Sequence, residues 1–180
     1  SVGDNSEGAL LVSRQILNAG KEYETIEFEY DVAVRGVTAE RHYRNKTLTY
    51  QVYNKYDSWG NLTWRTDTCR NLQENWTYYK HDRIKNLIER AVVKNINPVN
   101  GKISTVTTSY HYNDSLGKPD MVTVNDGNKN IITKYNYDVY GNLSETIQCY
   151  GDSKNELVTQ YNYDPKSNYT YPLNKKTLNV

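Results

Sequence analysis

Phenylalanine, methionine and cysteine are almost missing from this 180-residue chain, which holds one, one and two of them. A helical core would draw on Phe, Leu and Ile, so a conventional helix bundle is not expected. Two cysteines cannot make the disulfide framework that staples small secreted domains. No apolar run approaches the roughly 18–20 residues needed to span a bilayer. The N-terminus lacks the charged-then-apolar layout of a signal peptide, and Ser1 to Gly8 reads as a flexible lead-in or a cut edge. A formal net charge of +1 gives no overall attraction to nucleic acid or to an anionic membrane. Also missing are a glycine-rich phosphate loop and a nucleophile elbow.

What the chain has instead is tyrosine, eighteen of them. An apolar ring with a polar tip suits a half-covered sheet surface. Tyrosine also has high strand propensity, as do the abundant Thr and Val. The expected class is all-β.

One short pattern recurs six times: an aromatic, then Asp or Asn, then a tight turn. The aromatics are Tyr30, Tyr56, His81, Tyr112, Tyr137 and Tyr163, at intervals of 26, 25, 31, 25 and 26 residues. A near-fixed period of this length marks a repeat architecture. Before each turn the chain alternates, as a strand with one covered face does. Ile26, Phe28 and Tyr30 share a face, as do Thr108, Tyr110 and Tyr112. Thr133, Tyr135 and Tyr137 form another such set, then Thr159, Tyr161 and Tyr163. Each repeat is therefore a strand, a turn and a returning strand. Same-slot tyrosines are expected to stack across neighbouring hairpins.

Turn chemistry explains the motif. Asp57 and Asp138 suit the first position of a type I turn, accepting bonds from backbone N–H groups two residues on. Gly60 and Gly141 follow three residues later, where positive φ is wanted. The other copies diverge. The first, Tyr30-Asp31, has no Gly until Gly36. The third, His81-Asp82, carries Lys85 in the Gly slot. The fourth, Tyr112-Asn113, has one extra residue before Gly117, and the sixth, Tyr163-Asp164, has Ser167. Residues 1–25 read as a lead-in with the first strand or strands, although Leu10 to Leu17 could also be written as a short helix. Residues 26–172 hold the six hairpins, and 173–180 form a tail continuing into a parent protein. Ten to thirteen strands follow from six repeats, and strand twist should curl so large a sheet.

Tyr-x-Tyr-Asp-x-x-Gly-Asn-Leu, from Tyr135 to Leu143, resembles the YD repeat of RHS-type proteins. Tyr163-Asp164 through Tyr171-Pro172 is similar to segments of wall-associated and insecticidal-toxin-like bacterial proteins of that kind. The resemblance implies β-hairpins wound into a spiralling sheet that forms a hollow shell in full-length members, some enclosing a C-terminal toxin. It implies a secreted or cell-surface scaffold, with this chain as one arc. The partners would be neighbouring repeats and a passenger domain of the same polypeptide.

Enzymatic chemistry is not expected. Acid–base catalysis needs two differently tuned groups in one pocket, whereas Asp31, Asp57, Asp82, Asp114, Asp138 and Asp164 recur about once per repeat. One Asp per turn is too few ligands for the calcium sites of Asp-rich solenoids, and Asn125-Asp126-Gly127-Asn128 lacks the spaced oxygens of an EF-hand. His42, His81 and His111 have no metal-ligand spacing. No cofactor is expected. Cys69 and Cys149 sit in similar slots three repeats apart and read as isolated thiols. Six Asn-x-Ser/Thr sequences occur, at Asn45, Asn61, Asn75, Asn113, Asn142 and Asn168; turn geometry already accounts for those at Asn61, Asn142 and Asn168. The alternative function is a carbohydrate or cell-wall binding module, with Trp59, Trp64 and Trp76 stacking on sugar rings.

Overall fold

The computed structural model describes residues 10–79, 84–151, 156–164 and 172–179, and every regular element among them is a strand. The first six are β1 (Ser13–Asn18), β2 (Lys21–Asp31), β3 (Gly36–Arg44), β4 (Thr47–Tyr56), β5 (Leu62–Asp67) and β6 (Leu72–Tyr78). There follow β7 (Ile88–Ile96), β8 (Ile103–Asn113), β9 (Lys118–Asn125) and β10 (Asn130–Tyr137). The last are β11 (Leu143–Tyr150), β12 (Glu156–Tyr163) and β13 (Pro172–Asn179). They form one open antiparallel sheet in which each strand is bonded to its neighbours in the chain. The all-β class read from tyrosine content and alternation is the one adopted. The segment written alternatively as a helix is β1, paired to β2 from Ser13 opposite Glu27 onward.

The expected hairpins are β2–β3, β4–β5, β6–β7, β8–β9, β10–β11 and β12–β13. In the third, His81 and Asp82 lie outside the described residues, as does the turn after Asp164 in the sixth. A backbone bond from the Tyr79 N–H to the Leu87 carbonyl (2.7 Å) closes the third hairpin from outside that stretch.

Two compact units divide the chain: residues 1–77 with 93–104, and residues 78–92 with 105–180. In the first, Ile26, Ala39 and Val52 are buried together with the carboxylate of Asp67. In the second, Tyr112 and Thr159 are buried. So few buried apolar side chains among the described residues mean that no second layer covers the sheet there. Its stability therefore rests on the ladder and on cross-strand side-chain pairs. Alternation makes such pairs possible: Thr133 stands opposite Val122 on one side and Gln148 on the other.

Candidate functional site

The repeated motif is built from three devices, beginning with the turn. The Asp57 carboxylate accepts the backbone N–H groups of Trp59 and Asn61 and the Asn61 amide, each at 2.9 Å. Asp138 repeats this with Tyr140 (2.9 Å), Asn142 (2.8 Å) and the Asn142 amide (3.2 Å). Gly60 and Gly141 take φ of 82° and 81°. Burial disfavours both carboxylates in their charged form. The Asn amides and backbone N–H groups outweigh it and hold them below the ordinary range. The divergent turns keep the logic with other residues. Asp31 accepts the Ala33 N–H at 2.9 Å, but Arg35 rather than glycine takes the positive φ, at 53°. In the fourth turn Asn113 does this work, accepting the N–H groups of Ser115 and Leu116 at 3.1 Å. Its neighbour Asp114 instead accepts the Tyr79 hydroxyl at 3.4 Å.

The second device is a bulge. Glu29 faces Ala39, yet Tyr30 faces Val37; Lys55 faces Trp64, yet Tyr56 faces Leu62. The same slip precedes Tyr112, Tyr137 and Tyr163. One extra residue (Thr38, Thr63, Asp120, Ser144 or Leu173) therefore sits in the return strand of these hairpins. Such bulges bend the strand and increase its local twist.

The third is a clasp. Tyr30 donates its hydroxyl to the Leu11 carbonyl (2.7 Å), and Tyr56 to that of Val37 (2.9 Å). Tyr112 donates to Ile88 (2.7 Å), Tyr137 to Pro119 (2.6 Å) and Tyr163 to Leu143 (2.9 Å). Apart from Leu11, which precedes β1, each acceptor opens the return strand of the preceding hairpin. Burial pushes the phenols of Tyr56, Tyr112, Tyr137 and Tyr163 above the ordinary tyrosine range. Among the described residues the slot tyrosines do not stack on one another, contrary to the expectation from their period. Tyr30 instead meets Phe28 (6.4 Å), and Tyr112 meets Tyr110 (6.4 Å) and Tyr79 (5.9 Å). The backbone opposite takes the ring instead: a Cβ on Gly36 would lie 2.6 Å from the Tyr56 ring. Successive turns also nest, since Gly117 stands over Ile84 and Gly141 over Leu116, where added Cβ atoms would come within 3.1 and 3.6 Å.

The three tryptophans do not converge. Trp59 is a turn tip, 69% exposed. Trp64 carries the Lys55 ammonium 5.2 Å above its ring. Its cross-strand partner is Asn75, so Trp76, the next residue, belongs to the opposite face.

A polar row, not foreseen from the sequence, crosses β2 to β6. The ring nitrogens of His42 lie 3.5 Å from Glu24 and 2.6 Å from Glu40. Tyr50 meets that ring edge-on at 5.0 Å. Arg65 reaches the Tyr50 hydroxyl at 3.4 Å and Glu74 at 3.9 Å. The pairing of His42 with Tyr50 depends on a register shift at the next residue, which no spacing in the sequence announces. Cys69 and Cys149 are both free thiols. Among the described residues no group of three or more His, Cys, Asp or Glu side chains is placed to hold a metal ion, and no helix is long and apolar enough to cross a membrane.

No family model matches the chain, and no curated protein matches it. Among solved structures it is similar to a chain of the Tc holotoxin pore of Photorhabdus luminescens, with 11% identity and a TM-score of 0.44. That likeness covers 93% of this chain and 11% of the toxin chain.

Proposed function

We propose that the chain is a non-enzymatic structural scaffold, an arc of an RHS/YD-repeat shell within a large secreted or surface-exposed bacterial protein. The shell would enclose a toxin-type passenger domain of the same polypeptide. One observation carries this reading: the motif side chains are committed to internal bonds. The slot phenols of Tyr56, Tyr112, Tyr137 and Tyr163 hold the strand of the preceding hairpin, and that of Tyr30 holds the Leu11 carbonyl before β1. The carboxylates of Asp57 and Asp138 cap their own turns. Residues so engaged serve shape and not turnover, and a wall needs shape alone.

The gene on both sides of these 180 codons tests this. Further copies of the motif followed by an unrelated C-terminal domain are expected. Copies that stop here, beside a wall anchor or a hydrolase, would sink the shell. A second reading, a carbohydrate or cell-wall binding module, is favoured by the exposure of Trp59 and Tyr140 at the same slot of their turns. Binding to peptidoglycan that is lost in Trp59→Ala, with the circular dichroism unchanged, would bring that reading forward.

A further inference from the structure

The hairpin joining β9 to β10 has no part in the motif, yet it walls a cleft of about 180 Å³ lined by Val124, Asp126, Lys129, Asn130, Ile131 and Tyr150. Its floor is a cross-strand row. Ile131 stands opposite Val124 on β9 and opposite Tyr150 on β11, so the three side chains lie abreast on one face. The Tyr150 side chain is half exposed and makes no hydrogen bond or ring contact among the described residues.

The rim is polar and held in place. Asp126 Oδ1 accepts the N–H groups of Asn128 (2.9 Å) and Lys129 (2.8 Å). Gly127 takes φ of 92° and donates its N–H to the Asn125 side chain at 2.7 Å. The Asn125 amide in turn donates to Asn130 Oδ1 at 2.5 Å. The Asn130 carbonyl accepts the Gly151 N–H at 2.7 Å, tying the rim to the end of β11. These bonds leave Asp126 Oδ2 as an acceptor and the Lys129 ammonium as a donor beside an aliphatic and aromatic floor, while the paired Asn125 and Asn130 side chains brace the hairpin from the opposite face.

We infer that this cleft binds a single neutral pyranose ring. A pyranose has one face of C–H groups and a girdle of hydroxyls that both donate and accept. The C–H face fits against Tyr150, Val124 and Ile131. One hydroxyl donates to Asp126, while another accepts from Lys129. The volume is well below the roughly 300–1,000 Å³ of sites for drug-sized ligands, so the cleft takes one ring. The rim is pre-organised by its own hydrogen bonds, which lowers the ordering cost of binding. This goes beyond the scaffold role and does not depend on it, because the motif tyrosines and turn carboxylates lie elsewhere.

Saturation-transfer NMR on the whole chain, with methyl glycosides of glucose, galactose, mannose and N-acetylglucosamine as probes, tests the inference. At least one glycoside should receive saturation. Its affinity should fall about tenfold or more in Tyr150→Ala, as loss of an aromatic platform predicts. Lys129→Ala should weaken it less, and Val139→Ala, at an exposed turn outside the cleft, should leave it unchanged. Circular dichroism of each variant separates lost binding from lost fold. Absence of transfer to every glycoside overturns the inference, as does binding that survives in folded Tyr150→Ala. So does preferential binding of N-acetyl-leucinamide, which would mark the cleft as a socket for an apolar side chain.

Discussion

Removing one hydroxyl tests whether the clasp holds the sheet. In Tyr137→Phe the ring remains in place with the Lys118 ammonium about it (5.5 Å from the ring centre), but the 2.6 Å bond to the Pro119 carbonyl is lost. A neutral hydrogen bond contributes about 0.5–1.5 kcal/mol net, and a carbonyl left without its partner costs more where water cannot replace it. The side chain is half-buried, so the expected loss is about 1–2 kcal/mol. Urea unfolding followed by far-ultraviolet circular dichroism reads it directly. With a slope of about 2–3 kcal/mol per molar urea, the midpoint should fall by roughly 0.3–1 M. Tyr135→Phe is the matched control on the same strand and face, because the Tyr135 hydroxyl makes no hydrogen bond among the described residues. Its change should stay within about 0.5 kcal/mol. An unchanged midpoint in Tyr137→Phe, or an equal loss in both variants, would refute the clasp as a source of stability.

Gly36→Ala should destabilise by about 1–3 kcal/mol, the usual range for overpacking, because the new Cβ meets the Tyr56 ring at 2.6 Å. The clasp to Val37 breaks as the ring moves, so a double-mutant cycle with Tyr56→Phe should come out less than additive. Arg35→Gly should stabilise by up to about 1 kcal/mol by relieving a left-handed non-glycine residue, visible as a thermal midpoint raised by about 2–4 °C. Two pH limits follow from the shifted groups. Asp57 and Asp138 have lowered folded values, so their contribution is present above the unfolded carboxyl range near 3.8. It fades as pH falls through the folded values, and Asp57→Asn should flatten the acid limb of a stability–pH curve. Tyr56 and Tyr137 have raised folded values, so their contribution is complete below pH 10.0. It is lost as pH rises through the folded values, and Tyr137→Phe should shrink that alkaline loss.

Much of the local architecture was legible because it is local. Asp57 to Asn61 and Asp138 to Asn142 encode their turns within five residues each, through a carboxylate, a glycine and an amide that meet without help from the rest of the chain. Strand faces were equally readable, since a period of two needs only neighbours. Asn113 was harder: its amide oxygen caps the fourth turn while the adjacent Asp114 takes the Tyr79 hydroxyl, a division of labour that a bare motif does not distinguish.

By itself, then, the sequence determined the all-β class, the succession of hairpins and the turns at Asp57 and Asp138, because each follows from propensity and from bonds among residues close in the chain. Only the tertiary structure decided what the slot tyrosines do. Their acceptors are backbone carbonyls 18 to 24 residues away, and a carbonyl is the same in every residue. It likewise decided that Trp64 and Trp76 fall on opposite faces, that His42 stands between Glu24 and Glu40, and that Val124, Ile131 and Tyr150 lie abreast. Each depends on strand register, which bulges such as the one at Thr63 reset by one residue, turning every side chain beyond to the other face.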